Sequence, residues 1–442
     1  MKQVQRADTE EPDTEEPATG SAAGPASLPR AAAAPRHPGG DEPGIFSWLV
    51  PAYLGVILLG AAVFKFGPVM ARGHEMSTAR AVFTAVNAAT LTGFPSTVGL
   101  EDFDEEGVLG PVAVLVLMVA GALFSMVGGG VAVVRILRLP YSPGQVVSAA
   151  LASLLLAVLA GATCLLSYDR RVFDSVFQAA SAFTNSGLYV GRLSAPSSVR
   201  AQAVLMPLAF LGGLGLPVLM EVFDRLTGSG RRLSMHARTV FGTSAALYLV
   251  ATAVFTLMLL ARAAGHGETT RADLRDALPQ ASATAINARG PGLPFEFAST
   301  YPRAMQWLLI VLMAIGANPA GTGGGVKATT VCQLVGGVRG ALRHERVPRA
   351  FGVAAVWAAV YCAIVFAGLL LLVWRVPDMA GDRLLFLTVS AASNVGLAHD
   401  PVSIVGPGLY TLCAVMLAGR VAPVFVLWWM ARTTDDADVA VG

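Results

Sequence analysis

Four short stretches with a central glycine decide how this chain folds: Thr90-Leu91-Thr92-Gly93-Phe94, Thr184-Asn185-Ser186-Gly187-Leu188, Arg289-Gly290-Pro291-Gly292-Leu293 and Ser393-Asn394-Val395-Gly396-Leu397. These four glycine loops lie about one hundred residues apart, a spacing that indicates an internal repeat. Each follows a short apolar segment and precedes one of membrane length. A glycine loop at membrane depth exposes backbone carbonyls, which suit a cation that has lost its water.

The composition is that of an integral membrane protein. Of 442 residues, 54% are hydrophobic and 14% are charged, whereas a soluble domain carries about 25% charged residues. Apolar runs at 45–66, 108–136, 353–374 and 409–430 reach the roughly 20 residues with which a helix crosses a bilayer. The lipid bilayer is therefore the expected environment. No basic patch with interleaved aromatic residues occurs, so nucleic acid is excluded as a partner.

The segments before three of the loops share a pattern. Phe83, Phe177 and Phe386 each stand ten residues before the loop glycine. The segments that they begin, at 83–89, 177–183 and 386–392, are too short to span a membrane and should enter it and turn back. The sequence therefore predicts an all-α membrane protein with four tandem helix–pore-loop–helix repeats around a single central pore.

The repeat pattern divides the chain into ranges. Residues 1–44 contain Pro, Ala, Gly, Ser and acidic residues without an apolar run, which predicts a disordered N-terminal tail. The repeats are placed at 45–140, 141–230, 231–346 (with a broken second helix) and 347–432, and a C-terminal tail at 433–442.

The linkers between repeats are basic, which sets the expected orientation. They carry Arg135 and Arg138, then Arg225, Arg231, Arg232 and Arg238, then Arg339, Arg343, Arg346 and Arg349. An acidic run at 101–106 lies on the opposite face, although arginines occur there too. The positive-inside rule then places both termini of this multi-pass protein in the cytoplasm, and the protein in the cytoplasmic membrane.

The glycine loops are expected to form an ion selectivity filter. Backbone carbonyls replace the water of a potassium ion, glycine keeps the path open, and half-helix C-terminal ends favour a cation. The alternative is that the small residues only pack helices closely. The predicted filter residues are Thr90, Leu91, Thr92, Gly93, Thr184, Asn185, Ser186, Gly187, Gly290, Pro291, Gly292, Ser393, Asn394, Val395 and Gly396, with potassium at Thr92, Gly93, Ser186, Gly187, Gly292, Val395 and Gly396.

The stretch 315–327, Ile-Gly-Ala-Asn-Pro-Ala-Gly-Thr-Gly-Gly-Gly-Val-Lys, is similar to the Gly-Gly-Ser-x-Gly-Ser-Thr-Ala-Gly-Gly-Ile-Lys signature of the Trk/Ktr/HKT superfamily of potassium transporters. Stretches 212–217 and 419–423 resemble the family as well, and the resemblance covers about 45–432. It implies a pore-forming subunit for potassium uptake, a homodimer, and a cytoplasmic ring of nucleotide-binding (RCK-type) regulatory subunits. No Rossmann-type glycine fingerprint occurs here, so that ring would be a separate chain.

The same stretch breaks a helix on physical grounds. Between residues 316 and 325, five glycines and a proline prevent the preceding helix from continuing. By resemblance this break is a mobile gate under the filter; the alternative is a static kink. The gate residues are predicted to be Gly316, Gly321, Thr322, Gly323, Gly324, Gly325, Lys327 and Arg420.

Two of these gate residues carry charge. Arg420 lies within an apolar run, where an unpaired charge is costly, so it should face the interior and bond to carbonyls. A snorkelling arginine is the alternative. Lys327 is expected near the cytoplasmic end of the broken helix, as a gate residue or an interface anchor.

The third loop departs most from the family pattern. Either Gly290 or Gly292 could be its filter glycine, and Pro291 removes a backbone donor behind the carbonyl ring. Selectivity is therefore expected to be looser, which leaves a less selective Na⁺/K⁺ transporter as an alternative. Gly93, where sodium-preferring relatives tend to carry serine, argues by resemblance for potassium.

Other classes fit less well. An alternating-access transporter would have inverted repeats and acidic residues within the membrane, and a non-conducting membrane scaffold remains open because of the third loop. The six histidines and four cysteines have no triad, zinc or disulfide spacing. No enzyme and no covalently bound cofactor is expected; K⁺ is the transported ion.

Overall fold

The computed structural model describes residues 45–69, 76–95, 109–168, 170–191, 193–228, 232–265, 271–345 and 349–433. The predicted tail at 1–44, the acidic run at 101–106 and residues 434–442 of the C-terminal tail lie outside the described residues. The described part is almost entirely helical.

The same order of elements occurs four times along the chain: a long helix, a short helix, a glycine loop, and a further helix or helix pair. The helices are α1 (Ile45–Phe66), α2 (Thr78–Ala89), α3 (Leu109–Ile136); α4 (Pro143–Leu166), α5 (Val172–Thr184), α6 (Met206–Leu214), α7 (Leu216–Leu226); α8 (Met235–Gly265), α9 (Arg271–Asn287), α10 (Arg303–Ala314), α11 (Ala328–Leu342); α12 (Arg349–Arg375), α13 (Gly381–Ala392) and α14 (Pro407–Thr433). A π-helical turn at Ala201–Leu205 leads into α6, and a 3₁₀ turn lies at Ala298–Thr300.

Six of the described helices, α1, α3, α4, α8, α12 and α14, are long and apolar enough to cross a membrane. Their outward faces carry exposed large apolar side chains such as Leu58, Leu155 and Phe366, as a lipid-facing surface requires. The expected all-α membrane architecture is confirmed.

The four short helices lie inside this outer layer. Phe83, Phe177 and Phe386 are at most 1% exposed, and the loop residues that follow are buried as well. These half-helices are therefore held by protein, which satisfies the condition for irregular backbone at membrane depth.

Two of the later helices are interrupted. The axis bends by 103° between the segments Ala201–Leu214 and Leu216–Leu226 at Gly215, whose φ of 96° is one that glycine adopts without strain. The helix that begins with α10 ends at Ala314 and resumes as α11 at Ala328. The stretch between them, residues 315–327, is called the broken segment below.

Candidate functional site

Three half-helices end in the same local structure. Leu91, Asn185 and Asn394 have positive φ values of 57°, 56° and 48°. The next residue in each loop donates its N–H to the carbonyl five positions back, at 3.0 Å in all three. This is the Schellman motif, in which a left-handed residue ends the helix and satisfies its last carbonyls. Asparagine suits the left-handed position because its side chain tolerates it.

The third half-helix ends differently. Pro291 stands where the other loops carry the donating residue and has no N–H. Gly292 donates to the carbonyl of Asn287 instead, at 3.3 Å. The accepting carbonyl in this loop, that of Asn287, therefore lies one residue nearer to the loop glycine than the accepting carbonyls of Asn87, Ser181 and Ser390 do in the other three loops.

The four loops contact one another in a closed ring, called the glycine ring below. A Cβ atom placed on Gly93 would overlap the carbonyl oxygen of Ser186, in the second loop. The same overlap joins Gly187 to the Pro291 oxygen in the third loop, and Gly292 to the fourth. Gly396 completes the ring, because a Cβ atom placed on it would overlap the carbonyl oxygen of Thr92, the residue before Gly93. Each contact is made by the carbonyl that precedes a ring glycine.

The register of the third loop follows from this ring. Gly292 has a φ of 55°, in the left-handed region like the other three ring glycines, and it contacts the fourth loop. Gly290 faces the side chain of Asn185 instead. Gly292 therefore occupies the position equivalent to Gly93, Gly187 and Gly396.

Sequence reasoning missed a second set of glycine contacts. Gly121, Gly212 and Gly419 lie on the helices that follow the first, second and fourth loops. Each meets a half-helix carbonyl so closely that a Cβ atom would overlap it. In all three the carbonyl belongs to the residue four positions before the ring glycine: Ala89, Phe183 and Ala392. The separations Gly93–Gly121, Gly187–Gly212 and Gly396–Gly419 all differ, so spacing alone gave no signal for these contacts.

The broken segment lies across the ends of the half-helices. Thr322, fully buried, donates its hydroxyl to the Phe183 carbonyl at 3.1 Å and accepts from the Asn185 amide at 2.7 Å. Gly324 packs against the carbonyl of Ser393. Arg289, buried at the end of the third half-helix, donates to the Gly316 carbonyl, Nη2 to O, at 3.0 Å. The segment therefore contacts the second, third and fourth units directly.

Arg420 links the segment to the first unit. The side chain is 4% exposed and donates through Nη1 to the Thr322 carbonyl at 2.7 Å and to the Ser125 hydroxyl at 3.1 Å. Its Nε donates to the Thr90 carbonyl at 2.8 Å, and Nη2 donates to the same oxygen. Arg420 therefore faces the interior and bonds to carbonyls, one of them in the broken segment; it does not snorkel.

Lys327 directly precedes α11 and is its N-cap residue. Its Nζ donates back to the Gly323 carbonyl at 2.9 Å. The ammonium thus turns towards the broken segment. The buried Arg420 and the half-buried Lys327 accordingly bind successive carbonyls of the broken segment, at positions 322 and 323.

Beyond the ring, the segments that follow the third and fourth loops are joined. Ser299 donates its N–H to the His399 carbonyl at 3.0 Å, and Asp400 contacts both the Arg383 guanidinium at 3.2 Å and the His399 ring at 2.6 Å. Burial would raise the pKa of Asp400, but hydrogen bonds from His399 and Ser299 and the charges of His399 and Arg383 lower it on balance. The lower pKa keeps this carboxylate charged.

Comparison with known proteins gives consistent matches. A family model described as TrkH, cation transport protein, matches residues 114–428. The chain is 27% identical over 432 residues to the Ktr system potassium uptake protein B of Vibrio alginolyticus, covering 89% of this chain and 92% of that protein. It is 25% identical to the protein of the same name from Bacillus subtilis (strain 168), with coverages of 86% and 91%.

A solved structure has the same fold. The crystal structure of the potassium transporter TrkH from Vibrio parahaemolyticus matches with a TM-score of 0.68 over 87% of this chain and 85% of that one. The two sequences are 18% identical, so this likeness concerns the fold alone.

Proposed function

Because the chain belongs to the TrkH family of cation transport proteins, we propose that it carries potassium ions across the cytoplasmic membrane through the glycine ring. Membership of this family confirms the expectation of a transporter and not an enzyme. The observation that carries the proposal is the closed succession of contacts from Gly93 to Gly187, Gly292 and Gly396. Four loops that touch in a circle bring four sets of carbonyls together.

The ion would be held by backbone oxygens alone. Thr92, Ser186, Pro291 and Val395 each present the carbonyl that precedes a ring glycine. Such dipoles replace the hydration shell without a net charge, so that the ion is able to leave again. The half-helices end at these loops, and their negative dipole ends favour a cation.

We propose that the broken segment is the gate. It lies against the half-helix ends and is bound by Arg420 and Lys327. In this arrangement the segment closes the path, and Arg420 holds it closed by joining Thr322 to Thr90. Release of these bonds would let the glycine-rich backbone move aside.

The assembly follows from the same proposal. The linkers between units are basic, which supports cytoplasmic termini. The relatives are named as parts of a Ktr system, which supports a further component. We propose, from the family resemblance, that this component is a ring of nucleotide-binding regulatory chains beneath a homodimer. The four units at 45–140, 141–230, 231–346 and 347–432 would each supply one quarter of the pore.

A less selective Na⁺/K⁺ transporter is the second candidate, and the third loop is the observation that favours it. Pro291 offers no N–H to the half-helix, and the bond that replaces it is 3.3 Å long, against 3.0 Å in the other loops. A carbonyl held less firmly would discriminate less between the two ions.

The test uses a bacterium that lacks its own potassium uptake systems. Its rubidium uptake and its growth at limiting potassium are both measured. The test compares the wild-type chain with Gly187→Ser, Arg420→Ala and Gly336→Ala. Ser at position 187 would push against the third loop, whereas a Cβ atom at Gly336, on α11, meets nothing within 4 Å. We expect growth with the wild type and Gly336→Ala, and altered Na⁺ competition with Gly187→Ser.

In Arg420→Ala the segment is no longer held closed by this arginine, so we expect this variant to conduct without a regulatory partner. If neither the wild type nor this variant takes up rubidium while both are present in the membrane, the transport proposal fails and a non-conducting scaffold is favoured. If sodium competes with rubidium uptake as strongly as potassium does, the less selective Na⁺/K⁺ transporter is favoured.

A further inference from the structure

Two buried asparagines form hydrogen bonds to the residues that follow the ring glycines. In the first unit the Asn87 amide donates to the Phe94 carbonyl at 3.1 Å, and the Phe94 N–H donates back to the Asn87 Oδ1 at 2.9 Å. In the third unit Asn287 makes the same pair with Leu293, at 2.6 and 2.7 Å. Each partner directly follows a ring glycine. We call these reciprocal pairs the asparagine clamps.

Among the residues that the structure describes, the second and fourth units have no such clamp. Ser181 and Ser390 take the place of Asn87, because their carbonyls accept the Schellman bond in the same way. The Ser181 hydroxyl bonds to the Ser186 hydroxyl at 3.0 Å, within its own loop. The buried Ser390 hydroxyl has no partner. In the described part of the chain, the clamps therefore occur in the first and third units and not in the second and fourth.

The asparagine clamp contributes more to fixing the loop in the third unit than in the first. The first loop is also fixed by two Schellman bonds, from Leu91 to Ala88 at 3.1 Å and from Thr92 to Asn87 at 3.0 Å. The third loop has Pro291 in place of a donor. Its Asn287 pair is shorter than the Asn87 pair and spans one residue less. The Gly292 N–H keeps one bond in this loop, to the Asn287 carbonyl at 3.3 Å, and the Asn287 side chain adds two shorter bonds on the far side of the ring glycine.

We propose that Asn87 and Asn287 are positioning residues that set the spacing of the ring carbonyls and so determine how well potassium is preferred over sodium. This inference rests on the proposed function. A sodium ion is smaller and would be bound well only if the carbonyls moved inwards. A residue clamped on the far side of the glycine resists that movement, because a buried amide that loses its partners is costly.

The experiment measures rubidium uptake per molecule of membrane-inserted protein over a series of sodium concentrations. The variants are Asn87→Leu and Asn287→Leu, which have similar volume but make neither bond, with Ser390→Ala as the matched control. We expect Asn287→Leu to lose about tenfold in preference for rubidium over sodium, Asn87→Leu to lose less, and Ser390→Ala to behave as wild type.

A purely structural role would give a different result. Misfolding lowers the amount of active protein and reduces uptake without changing the competition ratio. If a leucine variant does not reach the membrane, Asn287→Ser takes its place, since serine supplies the carbonyl that accepts the helix-ending bond in the second and fourth units, as Asn287 does in the third. An unchanged ratio in well-inserted variants, or an equal change in Ser390→Ala, overturns the clamp while transport stands. A wild-type chain without uptake overturns both.

Discussion

The sharpest prediction concerns Arg420, whose removal should open the path. Its guanidinium is the one link seen in the described residues that joins the Thr90 carbonyl, at the first half-helix, to the Thr322 carbonyl of the broken segment. Replacement by alanine deletes all of these bonds together. We expect faster ion flux and lower stability.

The magnitude follows from the bonds lost. A hydrogen bond from a charged donor contributes about 1.5–3 kcal/mol, and one such bond, to Thr322, connects the segment to α14. Because 1.4 kcal/mol is a factor of ten in an equilibrium, the open fraction should rise about 10- to 100-fold. The lost bonds to Thr90 leave a buried carbonyl without this donor, which should destabilise the fold by a further 1–3 kcal/mol or so.

The assay is rubidium flux into liposomes that contain the purified protein, with thermal unfolding measured beside it. Arg420→Lys separates two causes, because lysine keeps the charge but not the planar fork of donors. A tether predicts that the lysine variant conducts faster than wild type, whereas simple repulsion of the ion predicts wild-type flux. Ser125→Ala, which removes one neutral acceptor of Arg420, should change flux little.

One result would refute the reasoning. If Arg420→Ala folds, inserts and conducts at the wild-type rate, the bond to Thr322 does not hold the segment closed. The segment would then be a static break, the alternative that the sequence left open.

Three further predictions follow from the geometry. Gly292→Ala should reduce uptake more than tenfold, since the left-handed φ strains alanine by about 1–2 kcal/mol and the Cβ atom meets backbone. Gly290→Ala, whose Cβ atom meets a side chain, should reduce uptake less. Equal losses of uptake would contradict the assignment of Gly292 to the ring. Gly215→Ala should lower the unfolding temperature, whereas Gly213→Ala, with its nearest contact at 3.7 Å, should not; similar unfolding curves would contradict the need for glycine at the bend. Asp400→Asn should lower the free energy of unfolding by at most about 0.5 kcal/mol, because the Asp400–Arg383 pair is exposed. Since the pKa of Asp400 is lowered, this contribution should be present near neutral pH and vanish as pH falls through the lowered pKa. A variant that differs from wild type only in acid would contradict it.

Local rules made much of the fold predictable. The half-helix α13, with 12 residues, is followed by Asn-x-Gly at 394–396, so this stretch shows both a length that cannot span and the left-handed residue that ends a helix. The break after Ala314 was equally readable from its glycines and proline. These features lie within short windows of sequence, so no long-range information is needed.

Contacts between units were not readable in the same way. The residues beside Gly121 differ from those beside Gly212, yet both positions require only room for a carbonyl of the preceding half-helix. The register of the third loop depended on which glycine meets the fourth loop, a contact across about one hundred residues. The roles of the filter and gate residues remain predictions.

A ring built from one chain differs physically from a ring of identical subunits. In four identical subunits, an arginine at the place of Arg420 would put four positive charges around the path, and a broken segment would occur four times. Here the second helix of the third unit is interrupted by the broken segment, that of the second unit is bent at Gly215, and Arg420 of the fourth unit joins the segment to the first unit. The corresponding positions after Gly121 and Gly212 are Ala122 and Gly213. Under the proposed function, four similar loops supply the carbonyls while a single arginine ties the broken segment to the first unit, a division of roles that needs four separately encoded quarters.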